Sequence, residues 1–414
     1  VTAIDNQTRI SKIIDLIDKS QDLKAKVQQK AQKTADEIVP FSLLTFAGVY
    51  LFTRNITRAT AVLMVDYSCA IKLSTPITVI SAMKEASQNS IVVKGGKFLE
   101  EYATADTIVF DKTGTLTNAT PSLAKITPFY GYSQDEVLRI AACLEEHFPH
   151  SVARAVVKAA EMKKIEHEEK HAEVEYIVAH GIATRLDGQR TLIGSRHFIE
   201  DDEKVLLTDE QREILKNECA PYSNLFLAYG DKIIGILSIE DPPRQEAKEV
   251  IAKLKEQGFK NVVMITGDNE VVANNVCKKL GINHCYSQVL PDGKYKIIEE
   301  LKSQGKKVVM VGDGINDSPA LSAADVSIAM KDASDIAREV ADITLLSSDL
   351  NDLILLRELS SKLFKRIEDN YSFIINFNSA LILLGVFGVL SPATTALLHN
   401  VSTVVISGMS TRKY

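Results

Sequence analysis

Residues 109–117 read VFDKTGTLT. An apolar run, TIVF at 107–110, ends on an aspartate, and small, hydroxyl-bearing or flexible residues follow. A carboxylate placed where an apolar strand stops is the pattern of a ligand site at the carboxyl edge of an open α/β sheet. Comparable β-branched runs recur at 233–239 (IIGILSI), 261–265 (NVVMI), 307–311 (KVVMV) and 343–346 (ITLL). Amphipathic helical patterns separate them, as at Arg244–Gln257 and Asn269–Leu280. Apolar strands alternating with helices predict a parallel, doubly wound α/β sheet within residues 90–350. Residues 120–238 break the rhythm, with helical patterns at Gln134–Glu146 and Ser151–Lys164. Hairpin-like pieces follow around Ala172–Ile193, with Asp187-Gly188 as a turn signal. This interval is expected to be an inserted α+β domain.

The other strand ends carry chemistry of the same kind. Thr266, Gly267 and Asp268 follow NVVMI; Gly312-Asp313-Gly314-Ile315-Asn316-Asp317 follows KVVMV; Lys294 sits between them in LPDGKYK. A carboxylate, a hydroxyl, a lysine and an acidic pair at one sheet edge suit phosphoryl transfer. Asp111 would be the nucleophile, Asp111 and Asp313 would hold Mg2+, and Thr266 and Lys294 would stabilise charge on the transferred oxygens.

A chain of 414 residues, 45% apolar, is long enough for more than one core. A net charge of −6 argues against a nucleic-acid partner, which would need a basic surplus or stripe. The five cysteines are scattered and show no framework spacing, which fits a reducing compartment. Apolar sequence gathers near both ends. Asn370–Thr411 contains no Asp, Glu, Lys or Arg. A span needs roughly 20 apolar residues, so this run is expected to cross a lipid bilayer twice, turning near Ser391-Pro392. Ile38–Thr53 and Ala59–Met83 predict a second hairpin, which makes about four transmembrane helices. Lys84, Lys362, Lys365, Arg366, Arg412 and Lys413 flank these segments on the side of the central region, which predicts a multi-pass membrane protein with cytoplasmic catalytic domains; Arg54 and Arg58 depart from that pattern.

DKTGTLT at 111–117, TGDN at 266–269 and GDGINDSPAL at 312–321 together resemble the P-type ATPases, ion pumps built on a haloacid-dehalogenase-like phosphorylation domain. The resemblance covers nearly the whole chain and implies an ATP-driven cation pump that is phosphorylated on Asp111. Thr266, Gly267, Asp268, Lys294 and Asn316 would share its catalytic site, and Thr113, Asp313 and Asp317 would join Asp111 around Mg2+. In the phosphatase relatives the position held here by Thr113 is an aspartate acting as general acid and base, help worth about 10²–10⁴ in rate. A phosphoaspartate lacking it would persist. The family positions water with a TGE glutamate on an actuator domain. No TGE occurs in these residues, so the actuator is expected in an earlier part of a longer protein or in another polypeptide. The organisation expected is 1–36 as actuator tail and linker, 37–89 as a membrane hairpin, 90–120 with 239–350 as the phosphorylation domain, 121–238 as the nucleotide-binding domain, and 351–414 as a second membrane hairpin.

The stretch SCAIKLSTP at 68–76 resembles the Cys-Pro-Cys motif of the heavy-metal branch, with Tyr67 and Ser68 where Cys and Pro would stand. A single thiolate is a poorer soft-metal site than a pair, so divalent ions such as Zn2+, Mn2+ or Co2+ remain open beside softer ones. Asp66, Ser68, Cys69, His399, Asn400 and Ser402 are the candidate ligands of the transported ion, with Lys72, Asn376 and Asn378 in the same pool of intramembrane polar residues. The inserted domain is expected to bind ATP. His150, or alternatively His147, with Glu146 matches the family's Glu-His-Pro element, and His180-Gly181 and Gly194 match its glycine motifs. Three other readings stay open: a potassium-pump-like ATPase subunit, a membrane-tethered phosphatase, and a scaffold that binds nucleotide without being phosphorylated.

Overall fold

The computed structural model describes residues 26–146, 151–165, 171–177, 181–314 and 317–414. Three helices come first: α1 (Lys26–Thr53), α2 (Ile56–Leu63) and α3 (Tyr67–Gln88). The expected single segment Ala59–Met83 is therefore interrupted. Its break falls at Asp66, whose carboxylate accepts from the Ser68 and Cys69 amides and caps α3, supplying partners for two of the orphan donors at a helix start. Among the described residues Ile56–Gln88 is the stretch long and apolar enough to cross a bilayer, and Val39–Thr53 is apolar but shorter.

The central region then builds two sheets. The first contains β1 (Ile91–Val93) followed by α4 (Gly96–Thr104), and β2 (Thr107–Asp111). The second opens with β3 (Ser122–Pro128), α5 (Gln134–Glu145) and α6 (Ser151–Met162). It continues through β4 (His171–Ile177), β5 (Gly181–Leu186), β6 (Gln189–Gly194), α7 (Asp209–Ile214), β7 (Ser223–Tyr229) and β8 (Lys232–Glu240). The chain then returns to the first sheet through α8 (Ala247–Glu256), β9 (Asn261–Ile265), α9 (Glu270–Leu280), β10 (His284–Tyr286), α10 (Pro291–Ser303) and β11 (Val308–Gly312). Completing it are α11 (Ser318–Ala323), β12 (Val326–Ala329), α12 (Asp335–Val340) and β13 (Ile343–Leu345).

The first sheet has the order β1-β13-β12-β11-β2-β9-β10, parallel except for β1 at one edge. β2 lies inside it, paired with β11 on one side and β9 on the other, and every residue from Thr107 to Asp111 is buried. Helices cover both faces: Ile108, Phe110, Val262 and Met264 pack toward one layer, Val109, Val263, Ile265 and Met310 toward the other. That burial on both sides is why these strands read as unbroken apolar runs.

The second sheet is antiparallel throughout, in the order β3-β8-β7-β6-β5-β4. The run at 233–239, expected in the parallel sheet, belongs here. It is apolar because α5 and α6 pack on one face, against Ile234 and Leu237, while Phe198, Phe226 and Ile233 form a second core on the other. The Asp187-Gly188 turn forms as expected, both residues with positive φ (51° and 81°), between β5 and β6.

Beyond the sheets run α13 (Asn351–Val386) and α14 (Pro392–Ser410), with Ser391 capping α14. The run Asn370–Thr411 was expected to cross a membrane twice. It forms two helices joined at Ser391-Pro392, but Asn376, Asn378, His399 and Asn400 interrupt their apolar character. Both helices pack on α3: the Tyr67 and Ser379 hydroxyls are 2.9 Å apart, those of Thr75 and Tyr371 3.0 Å, and Ala70, Ile71, Ile374 and Ile406 form a small core. α13 also meets α2 closely enough that a Cβ on Gly385 would lie 2.6 Å from Ala61 Cβ. Close helix approach through small residues is the usual packing device in apolar surroundings. Gly385→Ala should therefore destabilise the helical bundle by about 1–3 kcal/mol through overpacking. The measurement is thermal unfolding of the protein in detergent, and an unchanged midpoint would contradict the packing described.

Candidate active site

Asp111 ends β2, and the chain then coils through Lys112–Leu116. Two bonds close this loop: the Thr117 amide donates to Lys112 O (3.1 Å) and the Gly114 amide to Thr117 Oγ1 (3.2 Å). Gly114 has φ +75°, and a Cβ there would sit 1.5 Å from Asp313 Oδ2. Only glycine lets the loop turn left-handed and lets the Asp313 carboxylate rest on it.

Lys294 on α10 is the hub. Its ammonium donates to Asp111 Oδ1 and to Asp317 Oδ1, both at 2.6 Å. Thr266 directly follows the neighbouring strand β9, and its hydroxyl donates to Asp268 Oδ2 (3.1 Å) while accepting from the Asp268 amide (3.1 Å). The Asp268 carboxylate in turn pairs with Lys112. Backbone bonds from the Thr266 amide to Tyr286 O, and from the Val289 amide to Thr266 O, fix this loop to β10 and the turn beyond it. The structure thus brings together Asp111, Thr266, Gly267, Asp268, Lys294, Asp313 and Asp317. Thr113 is exposed on the loop beside Asp111. Asn316 lies outside the described residues.

The electrostatics are dominated by burial. Burial first, then the Asp317 charge, pushes Asp111 up to about 6 against the pull of Lys294. Asp313 is pushed up to about 7 by burial and by the charges of Asp111 and Asp317. Burial opposes the charge on Lys294, but attraction to the two aspartates outweighs it and holds the ammonium above its ordinary value. One ligand oxygen from each of Asp111, Asp313 and Asp317 can be chosen so that all lie within 4.8 Å of one another. Three crowded carboxylates facing one lysine form an all-oxygen donor set with excess negative charge, which fits a hard divalent cation such as Mg2+.

In the inserted domain, Gly181 and Gly194 are directly opposite each other in the β5–β6 pairing, so the two glycine motifs meet. His147, His150 and His180 lie outside the described residues. Glu146 is exposed, and the residue turned inward at the end of α5 is Glu145, 2% exposed, with its carboxyl pushed up to about 7 by burial. The apolar phase of α5, Leu138-Ala141-Ala142-Glu145, is what turns Glu145 inward and leaves Glu146, the residue named from the sequence, at the surface.

Of the expected ion ligands, His399 and Asn378 are buried and in contact (His399 Nδ1 to Asn378 Oδ1, 3.3 Å), and the Ser402 hydroxyl donates to His399 O at 2.7 Å. Ser68 is buried and its hydroxyl donates to Asp66 Oδ2 (3.0 Å). Cys69, Asn400, Asn376 and Lys72 are exposed, and the Cys69 side chain lies within hydrogen-bonding reach of Asp66.

The description "haloacid dehalogenase-like hydrolase" fits residues 105–325, which include β2, the inserted domain, Lys294 and the aspartates. The chain belongs to the haloacid dehalogenase-like hydrolase family. Within that family its relatives are metal-exporting P-type ATPases. It is 36% identical over 99% of its length to a zinc-exporting P-type ATPase of Mycobacterium marinum, covering 56% of that protein. The manganese-exporting P-type ATPase of Mycobacterium tuberculosis is 37% identical, with 99% of this chain and 57% of the relative covered. The chain thus spans a little over half the length of these relatives. A zinc-transporting PIB-type ATPase crystallised in the E2.Pi state superposes on all of this haloacid dehalogenase-like chain, with a TM-score of 0.76, 26% identity and 68% of that structure covered. The catalytic domain of the CPx-ATPase CopB-B matches 67% of it, at a TM-score of 0.55 and 29% identity, with 98% of that domain covered.

The state of Glu145 is open to a direct check. A carboxyl raised from about 4.5 to about 7 on folding favours its neutral form, so its burial costs nothing below pH 4.5 and increasingly more as pH rises through 7. Glu145→Gln should melt higher than the unsubstituted protein at pH 8, and the gap should close toward pH 5. Equal melting temperatures at both values would rule out a buried carboxyl of raised pKa.

Proposed function

We propose that this chain forms the catalytic core and part of the membrane domain of an ATP-driven pump for a divalent transition metal. The observation that carries the reading is the buried Asp111–Lys294–Asp317 bridge at the sheet edge, with Thr113 where a hydrolase would use an acid-base aspartate.

An Asp111 oxygen attacks the γ-phosphorus of ATP in line with the leaving ADP, forming the acyl-phosphate as the bond to the β-phosphate oxygen breaks. Lys294 orients the nucleophile and then faces the transferred oxygens, with Thr266 close by. Mg2+ held by Asp111, Asp313 and Asp317, with Thr113 beside them, would neutralise phosphate charge when bound. The inserted domain presents the nucleotide from its paired glycines 181 and 194, Glu146 beside the buried Glu145, and the histidines at 147, 150 and 180. Thr113 offers no carboxylate to activate water, so the acyl-phosphate lasts long enough for the membrane helices to respond.

The metal path runs beside the break between α2 and α3, where Asp66 and Ser68 lie, and past Asn378, His399 and Ser402. Imidazole with oxygen donors suits Zn2+ or Mn2+ better than Cu+, which prefers a thiolate pair. The relatives named as zinc and manganese exporters support the same assignment. We read α1, α2 with α3, the latter half of α13, and α14 as membrane-crossing, with the two sheets on the cytoplasmic side where the basic flanks gather.

Incubating the full-length protein with γ-labelled ATP should leave acid-stable label that Asp111→Asn abolishes; steady ester hydrolysis with no such label would favour a tethered phosphatase. ATPase activity should rise with a divalent transition metal. His399→Ala should raise the metal concentration for half-stimulation at least about 10-fold, the size of effect typical of a lost metal-site group, and Cys69→Ala should weaken stimulation less. A metal response that ignores the His399 substitution would overturn the path.

A further inference from the structure

Arg244 occupies a junction that the chemistry at Asp111 does not itself require. It follows Asp241-Pro242-Pro243, where the chain leaves the inserted domain, and it is 7% exposed. Its guanidinium donates to three backbone carbonyls: Nε to Thr115 O (2.8 Å), Nη2 to Gly114 O (3.1 Å) and Nη1 to Ser348 O (2.8 Å). Its own amide donates to Leu116 O at 2.8 Å. Two of these acceptors belong to the loop after Asp111, including the glycine on which Asp313 rests. The third lies three residues before α13.

The far end is itself tied down. Ser348 Oγ donates to Asp332 Oδ2 (2.9 Å), and Ser347 Oγ accepts from the Asp349 amide (3.1 Å). Thr117 Oγ1 donates to Asp241 Oδ2 (2.6 Å), joining the two connecting segments that enter and leave the inserted domain. Arg244 therefore stands where the phosphorylation loop, the connection to the inserted domain and the root of α13 converge. α13 is one helix of 36 residues, about 54 Å at 1.5 Å per residue, and carries Asn378 toward its far end.

We propose that Arg244 is a positioning residue that transmits the state of the Asp111 loop to α13. The inference rests on the reading of Asp111 as the phosphorylated residue. A phosphoryl group adds about two negative charges beside Asp313 and Asp317, and the loop must adjust. A planar guanidinium with donors in a fixed fork holds three carbonyls in one geometry, so displacement of Gly114 and Thr115 is carried to Ser348. Arg357 offers a contrast: it donates to Tyr102 O, Ala105 O and Gln257 O, which fastens α13 to the flank of the sheet without touching the loop.

The test is hydrogen exchange on the full-length protein in detergent, with and without Mg2+ and beryllium fluoride, a mimic of the phosphoryl group. In the unsubstituted protein beryllium fluoride should change exchange both at 111–117 and at 347–356. In Arg244→Gln the change at 111–117 should persist while that at 347–356 falls at least about 5-fold, because the opening of the two segments is no longer coupled. A response at 347–356 equal to that of the unsubstituted protein overturns the proposal. A purely structural role does so too, raising exchange at both segments before beryllium fluoride is added and leaving its effect intact. If Arg244→Gln does not fold, Arg244→Lys, which cannot reach all three carbonyls, is judged by the same criterion. No response at 111–117 in the unsubstituted protein removes the phosphorylation reading and this inference with it, an outcome distinct from loss of the response at 347–356 alone.

Discussion

Lys294 holds two aspartates that would otherwise repel each other at the end of a buried strand. A pair of opposite charges about 4 Å apart is worth about 4 kcal/mol at the effective dielectric near a protein surface, and more where water is scarce. Two such attractions meet on one ammonium, yet Asp111 and Asp313 are still pushed toward neutrality by burial and by their neighbours. The site thus rests with surplus negative charge that one lysine cannot balance. A divalent cation held by Asp111, Asp313 and Asp317 would relieve that surplus, and Lys294 already stands where it would meet a phosphate. Removing one member of a buried ionic set typically costs about 3–5 kcal/mol because the rest stay charged and unpaired. The arrangement therefore constrains every element that supplies a member: β2, α10 and the segment between β11 and α11.

That constraint explains the form of the surrounding fold. Parallel strands bring Asp111, Thr266 and Gly312 to the same edge, so residues far apart in sequence share one pocket. The loop after Asp111 has to turn away without covering the pocket, and Gly114 makes the turn while leaving room for Asp313. The inserted domain departs immediately after this loop and returns at Asp241, where the Thr117–Asp241 bond and the Thr117–Pro243 bridge lock its two connections side by side. Movement of that domain is bound to be felt at the loop.

Much of this was legible in the residues alone, because a buried parallel strand and a ligand-binding turn each leave a local mark. The runs ending at Phe110, Ile265 and Val311 and the polar turns that follow them needed no tertiary information. The run at 233–239 misled because a strand covered on both faces looks alike in a parallel or an antiparallel sheet; only its partners, β3 and β7, tell them apart. β10 and β12, three and four residues long, were too short to stand out. Glu145 and Glu146 differ only in helical phase, and the exposure of Cys69 follows from how α3 is rotated once Asp66 has capped it. Arg244 could not have been found by motif chemistry, since its partners are backbone carbonyls and any residue type could supply them.

Persistence of an acyl-phosphate and rigidity of the link to the membrane helices are useful only together. A long-lived intermediate on a loop that flexes freely would dissipate its strain locally, and a stiff helix attached to a rapidly hydrolysed intermediate would have no time to move. In the proposed pump Thr113 would withhold the acid-base group, while Arg244 joins the loop to the root of an unbroken 36-residue helix. The same helix reaches the buried Asn378–His399 contact, where the surroundings offer little water to replace a lost partner. A polar pair so placed has few stable arrangements, so a shift of α13 by a fraction of a turn would change which groups face each other instead of being absorbed gradually. A slow chemical step at one end, a stiff connection and a polar cluster with few alternatives at the other are the physical requirements for converting phosphorylation into a change of ion affinity.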